Sequence, residues 1–423
     1  MKFWKKPINI ALSPNNTWKD SLMSLGEIVL PWNWWSWKTD SSGGRARVEL
    51  EKRFGEWIGR PGNVKAVGSG REALFIILKA LNLKEGDEII LQSFTCMVVV
   101  NAIVWAGLKP VFVDADDNYN LSVEKLKAAI GSKTRAVIVQ HTFGIPAEVV
   151  AVKKICAENN LVLIEDCAHA MGAEIIDQKV GTIGDLSFFS LGRSKVISCV
   201  SGGLVVVNNS KYKLPIEKIL ATTGEMKSSL IFQNLLHPVI VSMAKYSYNF
   251  GIGKVIMLVA QKLHLLSFEV TKSEKKGVMV HPYPTRLPNA LAKLALVQFD
   301  LLNKFNQQRR QAAKYYYEQL NHLPGFDLIN PADHPGAIFL RYPLLCPNPT
   351  KFLKAAKAEG IILGDWYNSP VAPSDIDQIR SGYVAGSNVD TEKLCQRVIN
   401  LPTYQNLNIK DWHRIIHLIK THA

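Results

Sequence analysis

Two hydrophobic periods alternate along most of this chain. Between residues 48 and 58 apolar and charged residues recur at helical spacing. Short runs rich in Val, Ile and Phe then succeed one another: VKAVGS from Val64, DEIILQ from Asp87, KPVFVDA from Lys109, RAVIVQH from Arg135, LVLIEDC from Leu161, DLSFFSL from Asp185 and GLVVVNN from Gly203. Helical patterns lie between them, over Arg71–Leu81, Val99–Ala106, Ser122–Ile130 and Glu148–Glu158. Strands that alternate with helices of about ten residues predict βαβ units and a mostly parallel sheet flanked by helices, an α/β fold. Gly and Pro punctuate the joints, as at Gly107 to Pro110 and Gly144 to Pro146.

The ends of the chain read differently. Residues 1–44 are irregular and carry Trp32, Trp34, Trp35 and Trp37 in the run PWNWWSW, which predicts an arm packed on the body or on a second subunit. Residues 45–225 hold the strand–helix alternation and form the large domain. Residues 226–284 form an apolar insertion. Its stretch from Ser228 to Ala244 has no Asp, Glu, Lys or Arg, and Lys245, Lys254 and Lys262 punctuate the apolar residues beyond it. No uncharged run reaches the ~18–20 residues of a spanning helix. From Leu287 a long helical pattern leads into mixed strands and helices, so residues 285–423 are expected to form a smaller C-terminal α/β domain.

Composition narrows the partners. A chain of 423 residues that is 47% apolar can bury one large core and a smaller one. A net charge of +14 favours anionic partners. Without a zinc-finger spacing or a block of basic residues, no nucleic acid is expected. Six scattered cysteines without a C-x-x-C pair suggest buried thiols in a reducing, cytoplasmic setting and no metal site. The basic N-terminus has too short an apolar core for a signal peptide.

The chemistry lies where strands end. Asp166 and His169 come after the run LVLIE, and in parallel sheets ligand groups gather at the carboxyl ends of strands. Taken alone, Asp166 is as well explained as a helix cap. Lys195, however, comes after the next strand, SFFS. A carboxylate and a lysine converging there suit pyridoxal 5′-phosphate: the lysine forms a Schiff base with the aldehyde and the carboxylate pairs with the protonated pyridine nitrogen. Ser69, Gly70 and Arg71, between a strand and a helix, offer N–H groups and a helix dipole to the phosphate. Ser190 offers a hydroxyl.

These residues sit in a sequence that resembles the DegT/DnrJ/EryC1/StrS family of sugar aminotransferases, fold-type I pyridoxal phosphate enzymes. The resemblance runs from about Gly44 to Ile416, through VELEKRFGEWIG, GSGREALFIILKAL, HTFGIPAE, IEDCAHAMGAE, VGTIGDLSFFSLGRSK with its Gly-Gly, TRLPNALAKLALVQ and VINLPTY. It implies that Asp166 binds the pyridine nitrogen, His169 lies by the ring oxygen, Lys195 holds the cofactor and Ser190 binds phosphate. It implies a homodimer with shared active sites, an amino-acid donor such as glutamate and a nucleotide-linked keto-sugar acceptor. Members that lack transamination replace the lysine, which is present here.

Four positions depart from the family pattern. Arg71 replaces a Thr, Cys96 an aromatic residue, Ser201 an acid and Pro284 the Asn of a motif that reaches the partner's cofactor, although Arg286 of that motif remains. Arg71 still offers a fork for phosphate or a carboxylate. His141 reads equally as a turn residue or a substrate contact. Arg309, Arg310 and Lys314 read as a solvated helix face. The altered substrate positions leave open a cofactor-binding regulatory or partner subunit with little turnover. A nucleotide-dependent oxidoreductase is disfavoured, because no G-x-G-x-x-G comes after the first strand. For residues 226–284 two pictures compete: extra helices that cover the dimer face or the site mouth, or amphipathic helices in peripheral contact with a membrane, with Lys245, Lys254 and Lys262 at the headgroups.

Overall fold

The side chains of one strand, Ala136 to Val139, alternate between two apolar layers. Ala136 and Ile138 enter one buried cluster, Val137 and Val139 another. That period of two, apolar on both faces, marks a strand sandwiched between helices. The computed structural model describes residues 7–34, 37–38, 45–279, 283–376 and 381–423. Trp35, residues 1–6 and 39–44 of the arm, and residues 280–282 of the insertion lie outside the described residues.

The main strands are β1 (Val64–Val67), β2 (Glu88–Gln92), β3 (Lys109–Val113), β4 (Thr134–Gln140), β5 (Val162–Asp166), β6 (Leu186–Ser190), β7 (Gly203–Val207), β8 (Gly224–Glu225) and β9 (Thr285–Arg286). They form one nine-stranded sheet in the order β8-β9-β1-β7-β6-β5-β4-β2-β3. The run from β6 to β3 is parallel throughout. β7 enters antiparallel between β6 and β1, and β9 is antiparallel to β1. The α/β fold and its mostly parallel sheet are as the alternation predicts.

Helices α1 (Trp18–Val29), α2 (Arg45–Ile58), α3 (Gly70–Ala80), α4 (Met97–Trp105) and α5 (Val149–Glu158) precede the insertion. α3 and α4 cover one face of the sheet, and α5 covers the other. The insertion folds as α6 (Ser228–Ser247) and α7 (Ile252–Lys262), then a strap, residues 264–279, with one short helical turn at Lys272–Lys275. The pattern from Leu287 resolves into two helices, α8 (Asn289–Phe299) and α9 (Leu302–Leu320). Leu291 and Leu294 of α8 join Leu50 and Phe54 of α2 in a third cluster. The C-terminal residues build a second, three-stranded antiparallel sheet from β10 (Asp327–Leu328), β11 (Arg341–Leu345) and β12 (Val398–Pro402), packed with α9 and α10 (Ile409–His422). Two short parallel pairs tie it to the rest: Ile8–Asn9 with Ile361–Ile362, and Val371–Ala372 with Thr95–Cys96.

The Gly-Gly pair has a steric reason. Gly203 pairs with Val67 on one side and Ser190 on the other, at the end of the sheet where α3 begins. A Cβ at Gly203 would lie 2.3 Å from the Ser69 carbonyl oxygen and 2.7 Å from the Gly70 nitrogen, both backbone atoms with no room to yield. Gly203→Ala is therefore expected to destabilise the protein by about 1–3 kcal/mol and to displace the Ser69–Gly70 turn, measured by urea unfolding against Gly62→Ala, whose position has open space but a strained φ.

Candidate active site

Strand register brings the site together. Asp166 is the last residue of β5 and lies beside Phe188 of β6, two residues before Ser190. Ser69 ends the connection from β1 and caps α3 by accepting the Glu72 N–H at 3.3 Å. The first N–H groups of α3, at Gly70 and Arg71, are left as orphan helix donors. Ser69, Gly70, Arg71, Cys96, Asp166, His169, Ser190 and Lys195 all line one cavity of about 770 Å³.

Each wall residue is held for a reason. One Asp166 oxygen accepts the Ala168 N–H at 2.9 Å, and the other has no hydrogen-bond partner among the described residues. Burial pushes the Asp166 carboxyl up to about 6, against the pull of the Ala168 N–H and Lys195. Lys195 is lowered by burial, against the attraction of Cys96, Asp166 and Glu269. Next to Asp166, Glu165 is fully buried, and burial raises it; hydrogen bonds from His141 and from the N–H groups of Gly181, Ile183 and Gly184 outweigh that and hold it low. His169 accepts the Phe143 N–H on Nδ1 at 3.3 Å, and burial holds it neutral.

The Lys195 loop is anchored from both ends of the chain. Asn15 donates to the carbonyls of Lys195 and Val196. Arg309 donates to the Val196 carbonyl at 2.6 Å and to Asn15 at 3.1 Å. Arg309 is thus fully buried, which corrects the solvated face expected for it; Arg310 also turns inward, to the Ala337 carbonyl, and only Lys314 of the three faces water. Periodicity marks a charged side of α9, but of that side Arg309 reaches the Lys195 loop and Arg310 the Ala337 carbonyl.

Two sequence candidates lie off the cavity wall. His141 is completely buried, with Nε2 at 3.2 Å from Glu165 and Nδ1 accepting the Ala147 N–H, so both ring nitrogens are spent on structure. Arg286 donates to the Leu220 carbonyl at 2.8 Å. Arg71 lines the cavity, but its fork grips the strap, at the Glu274 carboxylate and the Glu269 carbonyl. Three residues without a sequence signal stand at the site instead. Trp366 stacks on His169, rings 5.3 Å apart and 11° from parallel, and the Lys195 ammonium lies 5.1 Å from its centre. Arg341 covers its ring at 3.3 Å, and the Tyr367 hydroxyl is 3.5 Å from His169 Nε2. The aromatic surface missing at Cys96 is present at Trp366. Strap residues between His264 and Lys275 form part of the wall, so residues 226–284 reach the site mouth.

A buried carboxylate with a free oxygen, a buried amine and orphan N–H donors at a helix start, all on one cavity at the carboxyl ends of parallel strands, define an enzyme site of the fold-type I aminotransferase class. The chain belongs to the DegT/DnrJ/EryC1/StrS aminotransferase family, whose sequence pattern matches residues 32–243 and 255–420. The interruption falls where α6 gives way to α7. A UDP-N-acetyl-3-dehydro-alpha-D-glucosamine 3-aminotransferase of Acidithiobacillus ferrooxidans is 28% identical over 372 residues, 86% of each chain. A GDP-perosamine synthase of Vibrio cholerae is 38% identical over 170 residues, 40% of this chain and 46% of that protein. Among solved structures, a DegT DnrJ EryC1 StrS aminotransferase from Brucella abortus has a TM-score of 0.74 at 21% identity, covering 99% of this chain and 100% of that one. NtdA from Bacillus subtilis, solved with bound cofactor PMP, has a TM-score of 0.73 at 18% identity, covering 98% and 85%. At such identity the likeness is one of fold.

The raised Asp166 carboxyl has a measurable sign. Its folded value, about 6, exceeds the ordinary 3.8, so keeping it ionised costs stability above pH 6 and nothing below about pH 4. In cofactor-free protein, Asp166→Asn is expected to be more stable than wild type at pH 8, by on the order of 1–3 kcal/mol, with the gain vanishing as pH falls to 4. Paired thermal melts across that range test this.

Proposed function

We propose that this protein is a pyridoxal-phosphate-dependent aminotransferase that moves an amino group from an amino acid, glutamate, to a nucleotide-linked keto-sugar. The observation that carries this is the meeting of Lys195 and an Asp166 oxygen without a protein partner on one buried cavity wall. The relatives named for UDP- and GDP-sugar chemistry support the acceptor class, and a diphosphate suits a protein of net charge +14.

The residues present fit the cofactor. The free Asp166 oxygen is placed to accept a hydrogen bond from a pyridine N–H. The hydroxyls of Ser69 and Ser190, with the N–H groups of Gly70 and Arg71, would hold the phosphate; the Arg71 fork, engaged by the strap, would brace that end. His169 and Trp366 supply flat surfaces beside the ring site. Bound there, the cofactor supplies an electron sink next to the transferred nitrogen. Lys195 acts as the acid–base group: burial favours its neutral amine, which can take a proton and return it. Asp166, paired with a cation in place of water, would stay ionised and keep the ring nitrogen protonated. Residues 264–275 keep water from the reacting atoms.

We further propose a cytoplasmic homodimer in which Arg286, off its own cavity wall, serves the partner's site. The same fold with little turnover, as a regulatory subunit, would bind the cofactor without exchanging an amino group; a relative of Geobacillus stearothermophilus, 25% identical over 355 residues, carries the name pleiotropic regulatory protein.

Borohydride reduction of the loaded protein should fix the label on Lys195 in a peptide map, and a label on another lysine refutes the assignment. Asp166→Asn should lower turnover at least about a hundredfold while cofactor binding persists. Formation of pyridoxamine phosphate with glutamate separates the enzyme from the regulator. Light scattering that shows a fully active monomer would remove the shared site.

A further inference from the structure

The N-terminal helix α1 is turned against the usual rule. Its fully buried residues are Asp20, Ser21, Ser24 and Glu27, while Trp18, Leu22, Leu25 and Val29 face outward. Three of the four find partners: Asp20 accepts from Gln298, Ser21 bonds Ser242 and Pro238 of α6, and Glu27 pairs with Lys293 of α8, while the Ser24 hydroxyl has none among the described residues. Met23 and Ile28 are half-buried against the core. The outward stripe has spacings of 4, 3 and 4, one side of a helix, and Leu22 is 66% exposed. Trp32, just beyond the helix, is 68% exposed.

Helix α7, which also packs on α6, likewise turns apolar residues outward. Gly253 and Ala260 are its buried residues, whereas Ile252, Val255, Leu258 and Val259 point out, with Leu258 64% exposed. α1 and α7 both pack on α6, so the two apolar stripes belong to one helical layer. Most of the large apolar residues exposed among the described residues lie in this layer and its flanks. A monomer in water seldom keeps such a surface bare.

Charge chooses the occupant. Both acids of α1 are turned inward, and no Asp or Glu occurs from Met226 to Phe268. Exposed charge on the layer is therefore cationic, from Lys19, Lys254 and Lys262. Two copies meeting through this face would set lysine against lysine. An anionic bilayer instead receives the lysines at its headgroups, the tryptophans at the interface and the Leu, Ile and Val side chains just below. No helix among the described residues is long and apolar enough to cross a membrane, which suits a layer that lies on one. We propose that the α1–α6–α7 layer is a docking face for an anionic membrane surface, seated through the outward stripes of α1 and α7.

Vesicles of equimolar phosphatidylglycerol and phosphatidylcholine should pull the full-length protein into the pellet at low salt, and phosphatidylcholine alone much less. Brominated acyl chains should quench tryptophan fluorescence on binding. Leu22→Glu with Leu25→Glu, or Val255→Glu with Val259→Glu, should each lower vesicle partitioning at least about tenfold. Because these side chains already face water, far-ultraviolet dichroism and melting temperature should match wild type. The proposal fails if the protein stays in the supernatant at low salt, or if the glutamate variants bind vesicles as wild type does. It fails equally if sedimentation velocity shows the face to be a self-association surface that those variants abolish without any vesicle binding.

Discussion

Asp166 and Lys195 are buried on one pocket, and much of the molecule is arranged around keeping both of them there. A carboxylate and an amine taken out of water each shift toward the neutral form, as both do here. The parallel register of β5 and β6 places the first. The second stands on a loop with little regular structure, so its position has to be imposed from outside, by Asn15, Arg309 and the close approach of Gly203 to the Ser69 turn. The neighbouring Glu165, saturated by backbone N–H groups and His141, fixes the strand end without competing for the pocket.

The stretch 226–284 does two jobs. Its helices add a layer beyond α8, and its strap returns to the cavity. After a long run without acids, the first two, Glu269 and Glu274, fall beside the start of α3: Arg71 ties the strap to that helix, and Ser194, beside Lys195, donates to Glu269 at 3.2 Å. Asn101 and Trp105 of α4 secure the same strap through its carbonyls. Arg71, where the family resemblance implies a Thr, thus makes sense together with the strap it grips.

Much of this was legible in the order of residues. Strands buried on both faces announce themselves as Val- and Ile-rich runs, and the joints between them carry Gly and Pro, so the sheet can be read from pattern alone. Asp166, Lys195, Ser190 and the Ser69 turn could be placed on one cavity because each stands at, or within five residues of, the end of such a run. Trp366, Tyr367 and Arg341 could not, since they come from a short irregular segment and a C-terminal strand whose approach to the large sheet is a matter of tertiary packing. His141 stands at a strand end like Asp166, and only the location of Glu165 shows that its ring is occupied. Arg309 defeats pattern reading because periodicity finds the two sides of a helix but not which side meets protein, whereas α1 is a 12-residue helix within an arm that reads as irregular.

The double anchorage of the lysine loop bears on how the protein is made. A ribosome releases Asn15 first, the loop at Lys195 and Val196 next, and Arg309 more than a hundred residues later. Most of the large sheet can assemble while synthesis continues, because seven of its nine strands, the whole parallel run among them, are complete by Val207. The loop can settle only after α9 has emerged and closed over it. A nascent chain therefore passes through a stage with most of the sheet in place and the lysine loop not yet anchored, until the two distant parts of the polypeptide have met.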